Sequence, residues 1–162
     1  MINIKILCVG ALKETYFVDM ADEYIKRIGK YAKLEIIELK DEAFKTQSNL
    51  TNLQNIKDKE CKKILDKIDN MSNTYIFVLD ETGKMYSSAE LAEKIQKVPV
   101  KGYSTIVFVI GGSLGLNNEI RTKANEIISF SRQTFPHQMI RVFLLEQIFR
   151  CFKIINNENY HY

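Results

Sequence analysis

The chain of 162 residues contains no tryptophan, two prolines, two histidines and three cysteines. Cys8, Cys61 and Cys151 are odd in number and widely scattered, with no C-x-x-C spacing, which argues against a disulfide framework or a zinc site. With His137 and His161 as the two histidines, we expect no histidine-rich metal site and no bound metal. No apolar run is long enough to cross a bilayer, so no membrane partner is expected.

Neither sign of charge is in large excess. Lys and Arg number 23 and Asp and Glu number 20, which leaves a formal net charge of +3. That balance tolerates a polyanionic partner without demanding one, and a free-standing nucleic-acid binder is usually more basic. The length predicts one domain over residues 1–162. The first residues alternate like a strand and lack a basic n-region, so we expect a cytoplasmic protein.

Apolar strand patterns alternate with helical patterns along the chain. The predicted strands are 3–9, 34–39, 74–79, 105–110 and a short one at 127–131, and the predicted helices are 14–28 with Gly29 as C-cap, 56–68, 89–97, 117–125 and 137–152. The polar stretch 41–55 lacks periodicity and is predicted to be a surface loop. The pattern predicts an α/β fold with a mainly parallel sheet and helices on both faces.

The predicted helix 56–68 is strongly charged. Its lysines could contact RNA phosphates, but acidic residues, among them Asp58 and Glu60, lie between them. Interleaved charges of both signs are typical of a solvated helix face, which is the interpretation we favour.

The most informative stretch is the apolar run 106–110 followed by Gly111-Gly112-Ser113-Leu114-Gly115. Glycines after a buried strand let a ligand approach the main chain closely. The stretch matches neither G-x-G-x-x-G nor a P-loop, and it is equally typical of a strand-to-helix turn that needs a flexible backbone.

Three loops follow predicted strands in the second half of the chain, at 79–83, 111–116 and 130–135. If these strands are parallel neighbours, the loops open at one edge of the sheet, where α/β proteins bind ligands. This predicts a pocket lined by main-chain groups and suited to a nucleoside-like ligand. Alternatively, the loops bind nothing, as in many α/β sheets.

The last predicted helix is apolar almost all round, which is typical of a buried helix in a core or a subunit interface. Glu146 and Arg150 lie one turn apart on it. An exposed pair of this kind contributes only about 0.3–0.5 kcal/mol, whereas buried charges need a polar site or an interface. Tyr160 and His161 near the end combine stacking surface with a titrating group, although terminal residues are often simply frayed.

The residues that carry a family resemblance are spread over the whole chain. They are Val9-Gly10 before Leu12-Lys13-Glu14, Tyr24, Arg27, the loop 110–116, the run 130–138, Arg141-Val142, Glu146-Gln147, Arg150 and Tyr160-His161. Together they resemble the ribosomal RNA large subunit methyltransferase H family, bacterial SPOUT-class enzymes that methylate N3 of a pseudouridine in 23S rRNA.

The resemblance implies a C-terminal trefoil knot, a homodimer whose sites are each completed by the partner, and the assembled ribosome as substrate. It implies S-adenosylmethionine as cofactor, without a metal. The positions that match the family's cofactor contacts are Leu79, Gly111, Phe130, Ser131, Arg132, Gln133, Thr134 and Phe135.

The same resemblance, combined with the chemistry of the reaction, places catalysis in the C-terminal part. N3 of the base must lose its proton before it can attack the methyl group. Arg150 would stabilise the resulting oxyanion, His161 or Glu146 would accept the proton, and Tyr160 would stack on or orient the base.

Two other functions compete with methyl transfer. A nucleotide-binding α/β protein could use the same loops for NAD or a nucleoside phosphate, but the usual glycine and P-loop signatures are missing. A non-catalytic ribosome-binding module with a vestigial pocket is the other alternative. The matching cofactor loops and the Tyr160-His161 tail argue against it.

Overall fold

Strands and helices alternate in the computed structural model, which describes residues 1–43, 45 and 47–160. The strands are β1 (Ile2–Val9), β2 (Ala32–Leu39), β3 (Thr74–Met85), β4 (Thr105–Ile110) and β5 (Glu126–Ser129), and the helices are α1 (Thr15–Ile28), α2 (Leu50–Asp69), α3 (Ser88–Val100), α4 (Asn118–Lys123) and α5 (His137–Ile155). The strands form one sheet in the order β2-β1-β4-β3-β5, and every neighbouring pair is parallel. The predicted α/β class with a parallel sheet is confirmed.

Helices cover both faces of the sheet. Strand β4 is buried on both sides, because Ile106 and Phe108 belong to one core cluster and Val107 and Val109 belong to the other. The first cluster includes residues of α1, α3 and α5, and the second includes residues of α2 and α4. A strand buried on both faces has to be a continuous apolar run, as 106–110 is. No helix in the described ranges is long and apolar enough to span a membrane.

The prediction of a loop over 41–55 is wrong for its last six residues, 50–55, which are helical. Helix α2 begins at Leu50, and the side-chain oxygen of Asn49 caps it by accepting a backbone N–H from the first turn at 2.8 Å. This turn is polar and solvated, with Leu50 85% exposed, so it carries no apolar periodicity for a sequence pattern to detect. Phe44 and Thr46 of the same predicted loop lie outside the described residues.

Strand β3 is longer than predicted. It was expected to end at Leu79, but it continues to Met85 after a bulge, and both Leu79 and Lys84 pair with Ile128 of β5. Within the bulge, the Asp80 carboxylate accepts the backbone N–H of Thr82 at 2.9 Å. Such a bulge redirects a strand end, and here it shapes the sheet edge at which β3 and β5 terminate.

Gly83 is required where β3 resumes its pairing with β5 after the bulge. A Cβ atom at this position would lie 2.6 Å from the carbonyl carbon of Ile128, which is backbone and cannot rotate away. We therefore expect Gly83→Ala to lower the free energy of unfolding by about 1–3 kcal/mol, measured by chemical denaturation. The matched control is Gly29→Ala, because Gly29 ends α1 in a right-handed conformation (φ −55°) with ordinary contacts. An equal loss in both variants would contradict the steric explanation.

Candidate active site

A cavity of about 720 Å³ opens at the carboxyl ends of three neighbouring strands. Its wall includes Leu79 from β3, Ile110 from β4 and Ser129 from β5. Because β3 lies between β4 and β5 in the sheet, the three segments predicted to share an edge do share it, although 79–83 is a bulge within β3 and not a loop after it. This is the position at which open α/β sheets bind ligands.

The glycine loop after β4 folds back on itself. The Gly115 N–H donates to the Gly112 carbonyl at 3.0 Å, and Gly115 has a φ of +73°. A Cβ on Gly111 would lie 2.9 Å from Cγ of Leu116, so a side chain there would force the turn open. The turn itself therefore needs glycine, and it also forms part of the cavity wall.

The loop after β5 is held by its own hydroxyl groups. The Ser129 hydroxyl donates to the carbonyl of Ser131 at 2.7 Å, and the Ser131 hydroxyl accepts the backbone N–H of Gln133 at 3.0 Å. Thr134 donates its hydroxyl to the Glu81 carboxylate at 2.9 Å. These bonds fix the loop and tie it to the bulge of β3, so the cavity wall is formed before any ligand arrives.

Most of the residues assigned to cofactor binding line this cavity. They are Leu79, Gly111, Phe130, Ser131, Gln133, Thr134 and Phe135. Arg132, the eighth, is exposed and does not belong to the wall. The wall also contains five charged or titratable residues to which the sequence analysis gave no role, Lys57, Asp80, Glu81, Arg121 and His137. For His137, its place directly after Pro136 at the start of a helix was the signal that could have found it.

His137 lies on the wall at the first turn of α5, against the turn that ends β1. A Cβ on Gly10 would be 3.3 Å from Nε2 of His137. Burial lowers the pKa of His137, and the nearby Arg141 lowers it further, so the imidazole is neutral at physiological pH. Arg141 is 1% exposed, donates to the Gly10 carbonyl at 2.6 Å and pairs with Glu38 of β2. It therefore fastens α5 to the ends of β1 and β2.

Glu146, Arg150 and Tyr160 form a second cluster, as the i, i+4 spacing predicted for the first two. Arg150 donates to Oε1 of Glu146 through Nη2 at 2.6 Å and through Nε at 3.0 Å. The Tyr160 hydroxyl donates to the same oxygen at 3.2 Å, and the guanidinium lies 4.7 Å from the centre of its ring. The hydrogen bonds that Arg150 donates to Glu146 raise the pKa of Arg150, and burial raises the pKa of Tyr160.

The cavity and this cluster are at different ends of α5. His137 and Ile140 line the cavity, whereas Glu146, Arg150 and Tyr160 do not. Arg150 follows Ile140 by ten residues, which is roughly 15 Å along a helix axis. One chain therefore does not bring the two predicted sets of residues together. His161, the remaining candidate, lies outside the described residues.

The residues of the cavity fit S-adenosylmethionine. A volume of about 720 Å³ is within the range of small-molecule sites. Leu79, Phe130 and Ile140 offer apolar surface to a purine ring, and the glycine loop offers main-chain groups. Glu81 places a carboxylate on the wall, which suits a hydroxyl or ammonium group of such a ligand, whereas the Asp80 carboxylate pairs with Arg121 at 2.7 Å. Across the described ranges, no group of three or more His, Cys, Asp or Glu residues could hold a metal ion.

Known proteins share both the sequence and the fold of this chain. A family model described as "Predicted SPOUT methyltransferase" matches residues 2–161. Curated proteins named ribosomal RNA large subunit methyltransferase H are 52% identical in Clostridium novyi and 50% identical in Clostridioides difficile, each over 98% of this chain and 99% of the relative. The Oenococcus oeni protein of that name is 48% identical over 99% of both chains.

A solved structure also resembles this chain. It is described as a probable methylase family protein from Haemophilus influenzae, and it aligns with a TM-score of 0.55 at 14% identity, over 98% of this chain and 70% of that one. At this identity the likeness shows a shared fold.

Proposed function

Because this chain belongs to the SPOUT methyltransferase family, we propose that it methylates N3 of a pseudouridine in the 23S rRNA of assembled ribosomes, with S-adenosylmethionine as methyl donor. The observation that carries this proposal is the cavity at the ends of β3, β4 and β5, whose wall contains seven of the eight residues that match the family's cofactor contacts, all but Arg132. The protein then works in the cytoplasm, where ribosomes are.

The cofactor, when bound, supplies a methyl group on a sulfonium that is already activated for transfer. The chain contributes the site, in which Leu79, Gly111 and the run 130–135 hold the cofactor. The trefoil knot implied by the family is part of this proposal, since the loops 111–116 and 130–135 that would form it both line the cavity.

The second part of the proposal is that two chains build each active site. The cluster of Glu146, Arg150 and Tyr160 is too far along α5 to reach its own cavity. On the same helix Phe143 is 39% exposed, and its ring packs edge-on against Phe135 of the cavity loop at 5.6 Å. Covering Phe143 with a second copy in a two-fold dimer would bring that copy up to the cavity, where its own cluster could complete the site.

Within the completed site, Arg150 acts on the target base. Loss of the N3 proton places negative charge on the adjacent carbonyl oxygens, which a guanidinium stabilises. Glu146 already accepts three hydrogen bonds on one oxygen, from Arg150 and Tyr160, so its role is to orient these two side chains. Tyr160 then stacks on or orients the base, and His161 accepts the proton.

Methyl transfer from tritiated S-adenosylmethionine tests this function. We expect label with whole ribosomes that lack the modification, and none with isolated large subunits, because the proposed substrate is the assembled ribosome. Free 23S rRNA should not be labelled either, because the small net charge gives the protein little affinity for bare RNA. Preference for NAD or ATP over S-adenosylmethionine in a binding assay would favour the nucleotide-binding alternative. Cofactor binding without labelling of any RNA would favour the ribosome-binding module.

A further inference from the structure

Glu60 of α2 is a buried acid beneath the glycine loop. It is 4% exposed, although the charge pattern of this helix predicted a solvated face, a prediction that is wrong for this residue. Its Oε1 accepts the backbone N–H of Glu42 at 2.9 Å. Its Oε2 has no hydrogen-bond partner among the described residues. A Cβ on Gly112 would lie 2.7 Å from Oε2, so this oxygen sits directly against the loop.

The same turn of α2 supports the far end of the loop. The next residue, Cys61, accepts the backbone N–H of Asn117 on its sulfur at 3.3 Å. Asp58 accepts the side-chain amide of Asn117 at 3.2 Å, and Lys57 reaches the cavity wall. The loop therefore contacts α2 at both of its ends, at Gly112 and at Asn117. These two contacts hold the part of the cavity wall that lies between them.

We propose that Glu60 is a positioning residue whose Oε2, packed against Gly112, sets the distance between α2 and the loop 111–116 and thereby the shape of the cavity. Its effect on cofactor binding rests on the proposed function. The physical reason is that an ionised Oε2 would have no donor in this pocket, and an unsolvated charge is costly. The carboxylate must then move toward water, and the loop packed against it must move too.

The groups around Glu60 shift its pKa in both directions, and burial has the largest effect. Burial raises the pKa of Glu60 above the ordinary value of 4.5, and Asp41 and Glu42 of the preceding segment raise it further. Lys63, one turn along α2, and the Glu42 N–H lower it. Gly112, against which Oε2 packs, carries no charge, and neither does Val9 of β1, whose Cγ1 would lie 3.1 Å from a Cβ on Gly112. His137 titrates on another part of the cavity wall, so a variant is needed to separate the titration of Glu60 from that of His137.

The amide signals of Gly112 and Gly115, followed by NMR against pH in the cofactor-free protein, test the positioning itself. We expect both to shift in one transition with a midpoint above 4.5, the ordinary value for glutamate. Glu60→Gln keeps the shape without the charge, so this transition should disappear while that of His137 remains. The control Asp66→Asn removes an exposed carboxylate from the same helix and should keep it. The proposal is overturned if the Gly112 signal does not titrate, or if the same transition is still present in Glu60→Gln.

The affinity for S-adenosylmethionine provides the second readout. We expect the Kd of the native protein to rise about tenfold per pH unit above the transition, since one proton is then linked to binding. Glu60→Gln should lose this pH dependence of Kd and keep only the part that comes from His137 on the cavity wall. If Gly112 titrates with Glu60 but the protein binds no S-adenosylmethionine at any pH, loop positioning stands and the proposed function fails. If the cofactor binds with the same pH dependence in both proteins, the role of Glu60 in binding is refuted.

Discussion

Mixing two inactive variants of this chain should restore methyltransferase activity. The first, Gly111→Val, deforms the cavity, because even its Cβ would lie 2.9 Å from Leu116 Cγ and 3.1 Å from the Gly115 carbonyl carbon. The second, Arg150→Ala, removes the cation of the C-terminal cluster. Arg150→Ala should lower kcat by about 100-fold or more, the usual cost of losing one stabilising donor in the transition state. Gly111→Val should prevent cofactor binding and so leave no measurable activity.

The recovery follows from the symmetry of the proposed dimer. After random exchange of subunits, half of the dimers contain one chain of each kind. In such a dimer, one site combines an intact cavity with an intact cluster, and the other site lacks both. The mixture should therefore show about a quarter of the native activity, measured as label transferred to ribosomes per chain.

A second mixture controls for non-specific rescue. Gly112→Val also alters the cavity loop, since its Cβ would lie 2.7 Å from Oε2 of Glu60 and 3.1 Å from Cγ1 of the buried Val9. Mixed with Gly111→Val, it should restore nothing, because both changes affect the same surface. If the cavity variant and the cluster variant exchange subunits and still show no activity, the site is not shared between two chains.

Arg141→Ala should destabilise the protein more than Gly83→Ala does. The Arg141 side chain is 1% exposed, and it is bonded to the Gly10 carbonyl and the Glu38 carboxylate. Alanine leaves a cavity in the core and removes two charge-assisted hydrogen bonds. We expect the free energy of unfolding to fall by about 2–4 kcal/mol, measured by urea denaturation at constant protein concentration.

Two further substitutions separate the causes of that loss. Arg141→Met keeps most of the volume without the hydrogen bonds, and it should recover part of the stability. Glu38→Gln keeps an acceptor for the guanidinium, and because the Glu38 side chain is 45% exposed, it should cost less than about 1 kcal/mol. If Arg141→Ala costs no more than Glu38→Gln, the buried arginine does not anchor α5 to the sheet.

Much of the fold was predictable because its elements depend on local patterns. The run 106–110 is apolar throughout because helices cover both faces of β4, and burial of this kind is visible in composition alone. The first turn of α2 was missed because it is solvated and depends on a cap at Asn49. The extension of β3 was missed because it depends on pairing with β5, which is distant in sequence.

The candidate site likewise has residues that local sequence patterns predicted and residues that they missed. The glycine loop and the run 130–135 were found from sequence because their residues are contiguous, and so was the Glu146–Arg150 pair, because one helical turn separates the two residues. His137 and Glu60 were missed as members of the site or its support. Their importance comes from burial against Gly10 and Gly112, contacts between segments far apart in the chain.

The sequence by itself determined the alternation of strands and helices, the apolar centre of the sheet and the motifs that identify the family. These follow from local periodicity and from residues close together in the chain. Tertiary structure alone decided the strand order that joins three loops around one cavity, the burial of Arg141 and Glu60, and the separation of the cavity from the Arg150 cluster. Each of these depends on which distant surfaces pack together, and packing is a property of the whole folded chain.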